Sequence, residues 1–183
     1  MIKYFKGKPN SGRTLEVIAH PDPRLSQKSV EIDLASELER AELDQLIVDL
    51  VATMRKENGA GLAAIQTGIP KCVFVYEDED GKNELGAAAL INPRIVHSSE
   101  EMVCDEEGCL SFPALYAPVE RAQKVVVEGY NHTGDAVRVE AEDFLARVFQ
   151  HEIDHLDGVT FIAHLPDEDK KLALREYFDL RAL

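Results

Sequence analysis

Two histidines four residues apart, His151 and His155, enclose the run His-Glu-Ile-Asp-His, with Glu152 directly after the first histidine. Residues i and i+4 of a helix lie on nearly the same face one turn apart, so both imidazoles can point at a single metal ion. Glu152 would then reach a water on that metal without binding the metal itself. The spacing therefore predicts metal-assisted hydrolysis, with two histidine ligands and a glutamate that carries the proton.

The residues around this run favour a helix. Apolar side chains stand at positions 144, 145, 148 and 149, a helical spacing that would face the core. The alternative is a chance match, because the same string can occur on an amphipathic helix that binds no metal. We interpret Asp154, inside the run, as a supporting or surface group rather than a further ligand.

A catalytic metal usually takes three protein ligands, so two histidines do not complete the site. A pattern with a third histidine at position 161 fails, because that residue is Phe161. Glu168 or Glu176 would be the ligand in a glutamate-type metallopeptidase. Cys109 is favoured instead, because a thiolate is a strong soft ligand for transition metals. The alternative role of Cys109 is that of a small buried apolar residue.

Three segments match a set of family motifs in order and in spacing. They are GAGLAAIQ at 59–66, EGCLS at 107–111 and QHEIDH at 150–155, with a looser match, HPDPRL, at 20–25. Together they resemble the signature motifs of the peptide deformylases, over roughly residues 15–165. The resemblance implies an enzyme that removes the formyl group from the N-terminal formyl-methionine of nascent polypeptides and releases formate.

The resemblance also implies a mechanism that depends on a metal. The metal, held by Cys109, His151 and His155, would lower the pKa of its water from about 15.7 toward about 7, and the hydroxide would attack the formamide. Glu152 would act as general base and then as general acid toward the leaving amine. One divalent transition metal per chain is implied, with Fe(2+) expected and nickel, cobalt or zinc able to occupy the site.

Further residues receive roles from the same resemblance. Gln66 and the backbone N–H of Leu110 would stabilise the oxyanion, and Gly61 would line the substrate cleft. Ile65 and Ala60 depart from the residues frequent in the family, a proline and a branched residue respectively. The smaller Ala60 would enlarge the groove beside the substrate and leave the chemistry unchanged.

The surroundings of the ligands can also be assigned. Phe149, Ile153 and Leu110 are predicted to form the walls of the pocket for the methionine side chain. Glu107 and Arg121 are expected to form an ion pair that fixes the cysteine loop, the alternative being two independent surface charges. From the residues alone, the glycines at 59 and 61 predict a helix C-cap and a turn.

Two other classes of function stay open. A metallopeptidase would cleave internal peptide bonds and would keep its metal without Cys109. A binding protein would hold formylated peptides or metal without turnover, but the intact Glu152 disfavours this class. His20, His97, His132 and His164 are each interpreted as solvated or hydrogen-bonded imidazoles rather than ligands.

Composition limits the class of protein. The chain has 183 residues, 45% of them hydrophobic and 30% charged, which is typical of one globular domain. Its net charge of −14 disfavours nucleic-acid and anionic-membrane partners. No apolar run approaches the roughly 18 residues of a membrane span. The odd number of cysteines, Cys72, Cys104 and Cys109, favours a reducing compartment, so we expect a cytoplasmic protein, with Cys104 in a structural role. A monomer is expected, because nothing in the sequence demands a larger assembly.

The predicted elements fit an α+β fold, with antiparallel and mixed strands packed around a central metal-binding helix. A single catalytic domain is expected over 1–183, with an N-terminal extension at 1–13 and a C-terminal helix within 166–183. A long helix is predicted over 34–56, capped by Asp33. Strands are predicted at 15–18, 71–76, 87–92 with a return at 94–97, 123–130 and 136–141, and an acidic turn at 77–82.

The C-terminal helix bears on one further partner. The resemblance implies that a basic C-terminal helix contacts the ribosome. Here the basic residues alternate with acids, which disfavours that contact; they are Lys170, Lys171, Arg175 and Arg181. Formyl-methionyl nascent peptides therefore remain the main expected partner.

Overall fold

The computed structural model describes residues 12–77 and 86–182. The expected N-terminal extension and the acidic turn at 77–82 lie mostly outside these residues. Three α-helices and seven strands follow one another along the described chain: α1 (Glu37–Lys56), β1 (Gly61–Ala63), β2 (Val73–Glu77), β3 (Ala87–Ser98), β4 (Met102–Cys109), β5 (Phe112–Ala122), β6 (Lys124–Tyr130), β7 (Ala136–Glu142), α2 (Asp143–Leu156) and α3 (Asp167–Arg181).

The strands form two separate antiparallel sheets. One has five strands in the order β1-β2-β3-β6-β7, and the other is the hairpin of β4 and β5. A single parallel bridge joins Val30 to Lys71 outside the named strands. Segregated helices and antiparallel strands confirm the predicted α+β class.

Helix α2 lies between the two sheets. On one side Phe149 is fully buried, with its ring 5.6 Å from that of Phe74 and 4.8 Å from that of Tyr76 on β2. On the other side the Gln150 amide exchanges two hydrogen bonds with the backbone of Ala122 at the end of β5. Full burial of an aromatic side chain contributes about 1.5–3 kcal/mol, so these contacts fix the helix from both faces.

The ends of α1 differ from the prediction. Ser36, not Asp33, is the N-cap, because the Ser36 hydroxyl accepts the Glu39 N–H at 3.3 Å. Asp33 instead accepts the N–H of Ala35, in a turn before the helix. At the other end Asn58 adopts the left-handed conformation with φ 56°, so Gly59 is not the left-handed capping residue. Asn is the non-glycine residue best suited to that conformation, which is why it can take this place.

Two strand predictions were wrong in detail. Residues 15–18 form no strand, and two of their N–H groups have other partners: Leu15 donates to the Thr53 hydroxyl and Ile18 to the Gln66 carbonyl. The predicted strand and return at 87–97 are one strand, β3, whose register against β6 shifts between Ile91 and Arg94. The extra residues form a bulge, which lets a proline sit inside a strand.

The hairpin of β4 and β5 was not predicted. Its first strand reads MVCDEEGC, with five exposed residues before the buried Glu107, so it shows no apolar alternation. By contrast the β6–β7 hairpin and both later helices match the prediction within a few residues. In α3 the fully buried Tyr177 packs 5.2 Å from the Phe112 ring and donates to the His20 carbonyl. Within the two described ranges, no helix has the length and apolarity to cross a bilayer.

Candidate metal centre

Cys109, His151 and His155 come together although they stem from two elements. The cysteine ends β4, and the histidines lie on successive turns of α2. Their potential ligand atoms all lie within 4.8 Å of one another, and Cys109 Sγ is 3.2 Å from His155 Nε2. The two imidazole rings face each other edge to face, with centroids 4.8 Å apart. These three side chains form a group that could hold a metal ion.

The chemistry of the three donors fits a transition metal. Burial opposes a charged Cys109 side chain, but the neighbouring His155 and His151 outweigh it and lower the pKa of the thiol to about 5. The cysteine is therefore a thiolate near neutral pH, the form that binds metals. A thiolate with two imidazoles suits zinc, iron, cobalt or nickel better than magnesium or calcium, which prefer oxygen ligands.

Other candidate ligands lie outside this group. Among the described residues the metal-binding group contains neither Glu168 nor Glu176, and exposed Glu168 pairs with Lys171 on α3. His164 Nε2 lies 2.7 Å from the Asp154 carboxylate, and the His20 ring stacks on Phe112. The glutamate-ligand alternative therefore finds no support in the fold.

Glu152 is buried beside the three ligands. Its burial raises the pKa to about 7, although the two histidines pull the other way. Its Oε2 is buried and finds no hydrogen-bond partner within the described part of the chain. Its Oε1 approaches β1 so closely that a Cβ built on Gly61 would lie 2.6 Å away. The glycine at position 61 therefore leaves room for the Glu152 carboxylate. The other carboxylate oxygen, Oε2, can accept a proton or bind a water.

Gln66 is fixed at both ends of its amide group. Its Oε1 accepts the Ala63 N–H at 2.9 Å, which leaves Nε2 as the donor toward Cys109 Sγ at 3.6 Å and Ser111 Oγ at 3.3 Å. Ser111 is fully buried and was missed by the sequence analysis, although it lies within the EGCLS segment. Leu110 follows the cysteine and packs its side chain near Gly59, where a Cβ would meet Cδ1 at 2.8 Å.

Behind the ligands lies a buried network centred on Glu107. Arg121 forms two hydrogen bonds with its carboxylate at 2.7 and 3.1 Å, so the expected ion pair is present. His151 Nδ1 lies 2.6 Å from Glu107 Oε1. Burial alone would raise the pKa of Glu107, but the hydrogen bonds from His151 and Arg121 outweigh it and lower the pKa far below the usual range. Glu107 is therefore an anion that orients a candidate metal-binding imidazole.

One member of this network, Arg147, was not assigned by the sequence. Arg147, one turn before His151 on α2, also binds the Glu107 carboxylate, at 2.9 Å. Asp154 accepts from Arg121 at 2.6 Å, in keeping with its interpretation as a supporting group. No local pattern marks Arg147, because its partners lie between 28 and 44 positions earlier in the chain.

The residues proposed as pocket walls lie in different places. Phe149 is fully buried between α2 and the sheet, so its ring has no surface open to a substrate. Ile153 is partly buried and packs against the same core. The sequence did not mark Val148, yet its Cγ1 would lie 2.9 Å from a Cβ on Gly61 and so faces the predicted cleft.

Most of this sequence matches a known protein family. The profile of the family described as "Polypeptide deformylase" matches residues 14–171. The chain belongs to this family. A peptide deformylase of Desulforudis audaxviator is 44% identical over 147 residues, which cover 80% of this chain and 90% of the relative.

Solved structures of the deformylase family share the fold. A peptide deformylase from Legionella pneumophila is 32% identical, with a TM-score of 0.82 over 92% of this chain and 96% of that one. A peptide deformylase from Acinetobacter baumannii, solved with Met-Ala-Ser bound, is 33% identical, with a TM-score of 0.74 over 83% and 98% of the two chains. The predicted family, fold class and enzyme class are thereby confirmed.

Proposed function

We propose that this deformylase removes the formyl group from the N-terminal formyl-methionine of nascent polypeptides and releases formate. The observation that carries the proposal is the convergence of Cys109, His151 and His155 beside the buried Glu152. The A. baumannii relative with Met-Ala-Ser bound supports the substrate, since that peptide is what remains after deformylation of its formylated form.

In this proposal one divalent transition metal is held by Cys109, His151 and His155, with Fe(2+) expected and nickel, cobalt or zinc as alternatives. When bound, such a metal supplies Lewis-acid chemistry, polarising a carbonyl oxygen and lowering the pKa of water. The protein contributes one negative charge from the thiolate and two neutral imidazoles, the first held in orientation by Glu107.

Glu152 moves the proton. Its carboxylate takes a proton from the attacking water and returns it to the nitrogen of the leaving amine. A pKa near 7 suits both steps, because at neutral pH such a group can accept a proton and give it back. The free Oε2 is the atom we assign to this transfer.

Gln66 and the backbone N–H of Leu110 stabilise the oxyanion that forms from the formyl oxygen. Gln66 supports this role because Ala63 occupies its Oε1 and leaves Nε2 beside the cysteine. Gly61 lines the cleft, and its lack of a side chain keeps the peptide close to Glu152. For the methionine pocket we propose Leu110 and Val148, with Ile153 at the edge, and we assign Phe149 to the support behind it.

Release of formate from formyl-Met-Ala-Ser by anaerobically metal-loaded protein tests this function. We expect turnover by the wild type and, in Cys109→Ala, loss of most bound metal and of activity, because only two ligands remain. Cys104→Ala is the matched control, since Cys104 is exposed on the same strand and should change neither quantity. A Cys109→Ala protein that keeps its metal and cleaves internal peptide bonds would instead support a metallopeptidase.

Two further expectations accompany this function. A cytoplasmic location follows from the cysteine content and from the nascent-chain substrate. We also propose that the chain acts as a monomer, because the three ligands and Glu152 all come from one chain.

A further inference from the structure

We propose that Arg147 is a positioning residue that sets the geometry of the metal centre by docking the cysteine hairpin onto the histidine helix. This inference rests on the metal site proposed above. Arg147 binds neither the metal nor the substrate. The sulfur and the two nitrogens belong to different elements, so their spacing depends on how those elements pack.

All described contacts of the Arg147 guanidinium lead to the hairpin. Nη1 donates to the Glu107 carboxylate at 2.9 Å and to the Val119 carbonyl at 2.9 Å, and Nη2 donates to the Val103 carbonyl at 2.8 Å. Val103 and Glu107 lie on β4, and Val119 lies on β5. One planar cation thus joins both strands of the hairpin to α2, which the rigid fork of arginine allows and a lysine cannot reproduce.

The position of Arg147 on α2 gives it influence over a ligand. It lies four residues before His151, so its side chain shares a helix face with that imidazole, one turn away. Glu107 receives both side chains: Oε2 accepts from Arg147 and Oε1 from His151 Nδ1. Two residues beyond Glu107, the same strand ends at Cys109. Arg147 therefore orients the carboxylate that holds His151 and restrains the strand that carries the sulfur.

Arg121 does not duplicate this role. It reaches Glu107 from β5, within the hairpin itself, and its Nη1 is directed to Asp154 and His164. Arg147 approaches the same carboxylate from the helix. Because both arginines are almost fully buried, water does not substitute readily for either of them. Without Arg147 the carboxylate can turn toward Arg121, and the His151 orientation is no longer fixed.

The experiment measures metal retention and geometry with Co²⁺ as the probe. Wild type, Arg147→Met and Arg147→Lys are loaded anaerobically with Co²⁺, and metal release into excess chelator is followed at 25 °C. Loss of an outer hydrogen-bonding partner typically costs about 10- to 100-fold in metal affinity, so we expect release from Arg147→Met to be faster by about that factor. The rate of metal release from Arg147→Lys should lie between those of the wild type and Arg147→Met, because lysine keeps a positive charge beside Glu107 but lacks the planar fork of the guanidinium.

The visible spectrum of bound Co²⁺ separates positioning from stability. We expect the thiolate charge-transfer and ligand-field bands of Arg147→Met to change in position or intensity in the folded protein. Arg138→Met is the matched control, because Arg138 on β7 forms an exposed ion pair with Glu128 on β6, so its loss should leave release and spectrum unchanged. A release rate within twofold of wild type and an unaltered spectrum, with only a lowered melting temperature, would overturn the proposal.

Two further results complete the test. If Arg147→Met does not fold, Arg147→Lys decides, and release less than threefold faster than wild type overturns the inference. In Glu107→Gln, adding Arg147→Met should have a smaller effect than in wild type, since the two act together. If the wild-type protein takes up no Co²⁺, the metal site itself is refuted. If the wild type takes up Co²⁺ and substitution of Arg147 does not change its release, only the positioning role of Arg147 is refuted.

Discussion

At the scale of single residues, the candidate site depends on side chains whose two polar ends have different partners. The Gln66 amide is the clearest case. Ala63 donates to Oε1 at 2.9 Å, so the orientation of the amide is set and Nε2 must face Cys109 and Ser111. Such an arrangement is preorganised, because no rotation is needed when charge develops on a substrate oxygen.

Replacing Gln66 tests this preorganisation. Gln66→Glu keeps an acceptor for Ala63 but removes the donor, and Gln66→Met removes both without adding charge. We expect kcat to fall by about 10²–10³-fold in each, with a smaller change in KM, because the donor acts mainly on the oxyanion. The measurement is formate release under saturating and limiting substrate.

The exposed Gln27 offers a matched control for Gln66. Gln27→Glu makes the same chemical change away from the ligands and should retain wild-type kcat. Equal kcat in the wild type and both Gln66 variants would exclude the oxyanion role.

At the scale of elements, helix ends are set by hydrogen bonds that sequence patterns predict only to within a few residues. Asp33, Ser36 and Asn58 are all residues that cap or end helices well. In the fold, Ser36 accepts the Glu39 N–H, while Asp33 closes a turn onto Ala35 and donates its own N–H to the Glu39 carboxylate. The start of α1 is therefore a compact turn followed by a serine cap.

This assignment predicts unequal effects of two alanine substitutions. Ser36→Ala should lower the free energy of unfolding by about 1 kcal/mol, since it leaves a helix N–H without its acceptor. Asp33→Ala, in an exposed turn, should change it by less than about 0.5 kcal/mol. Urea unfolding monitored by circular dichroism compares the two. If Asp33→Ala caused the larger loss in the free energy of unfolding, Asp33 would be the N-cap, as first predicted.

At the scale of the whole molecule, the charge of −14 creates a field around the metal centre. The hairpin that supplies Cys109 carries exposed carboxylates, namely Asp105, Glu106 and Glu120. A negative surface attracts cationic substrates and repels anionic ones, and salt screens both effects. Residues of the peptide beyond methionine should therefore influence association through their charge.

We expect formyl-Met-Lys-Ser to have a higher kcat/KM than formyl-Met-Asp-Ser at low ionic strength. The ratio should shrink several-fold as the salt is raised to about 1 M, where the Debye length is only about 3 Å. Because the effect acts on encounter, kcat should differ less than kcat/KM between the two peptides. The uncharged formyl-Met-Ala-Ser serves as the reference. A ratio that does not respond to salt would assign the preference to direct contacts instead.

The sequence by itself determined the family, the α+β class, both later helices and the three candidate ligands. These features follow from local sequence patterns: the spacing of two histidines and a glutamate on one helix, three motifs in order along the chain, and periodic apolar residues. It also predicted the Glu107–Arg121 pair, through the resemblance. Local spacing sufficed here because the geometry of a helix fixes the relation between residues four apart, whatever the rest of the chain does.

Only the tertiary structure decided the rest. The polar strand β4 shows no apolar alternation, because its one buried side chain is Glu107 and the buried apolar side chains of the hairpin lie on β5. Contacts with segments distant in the chain position Arg147, Ser111 and Val148. The ring of Phe149 packs in the core against β2. Such partners are chosen by how helix and sheets pack together, and a buried charge or ring is satisfied only by groups that this packing brings within a few ångströms.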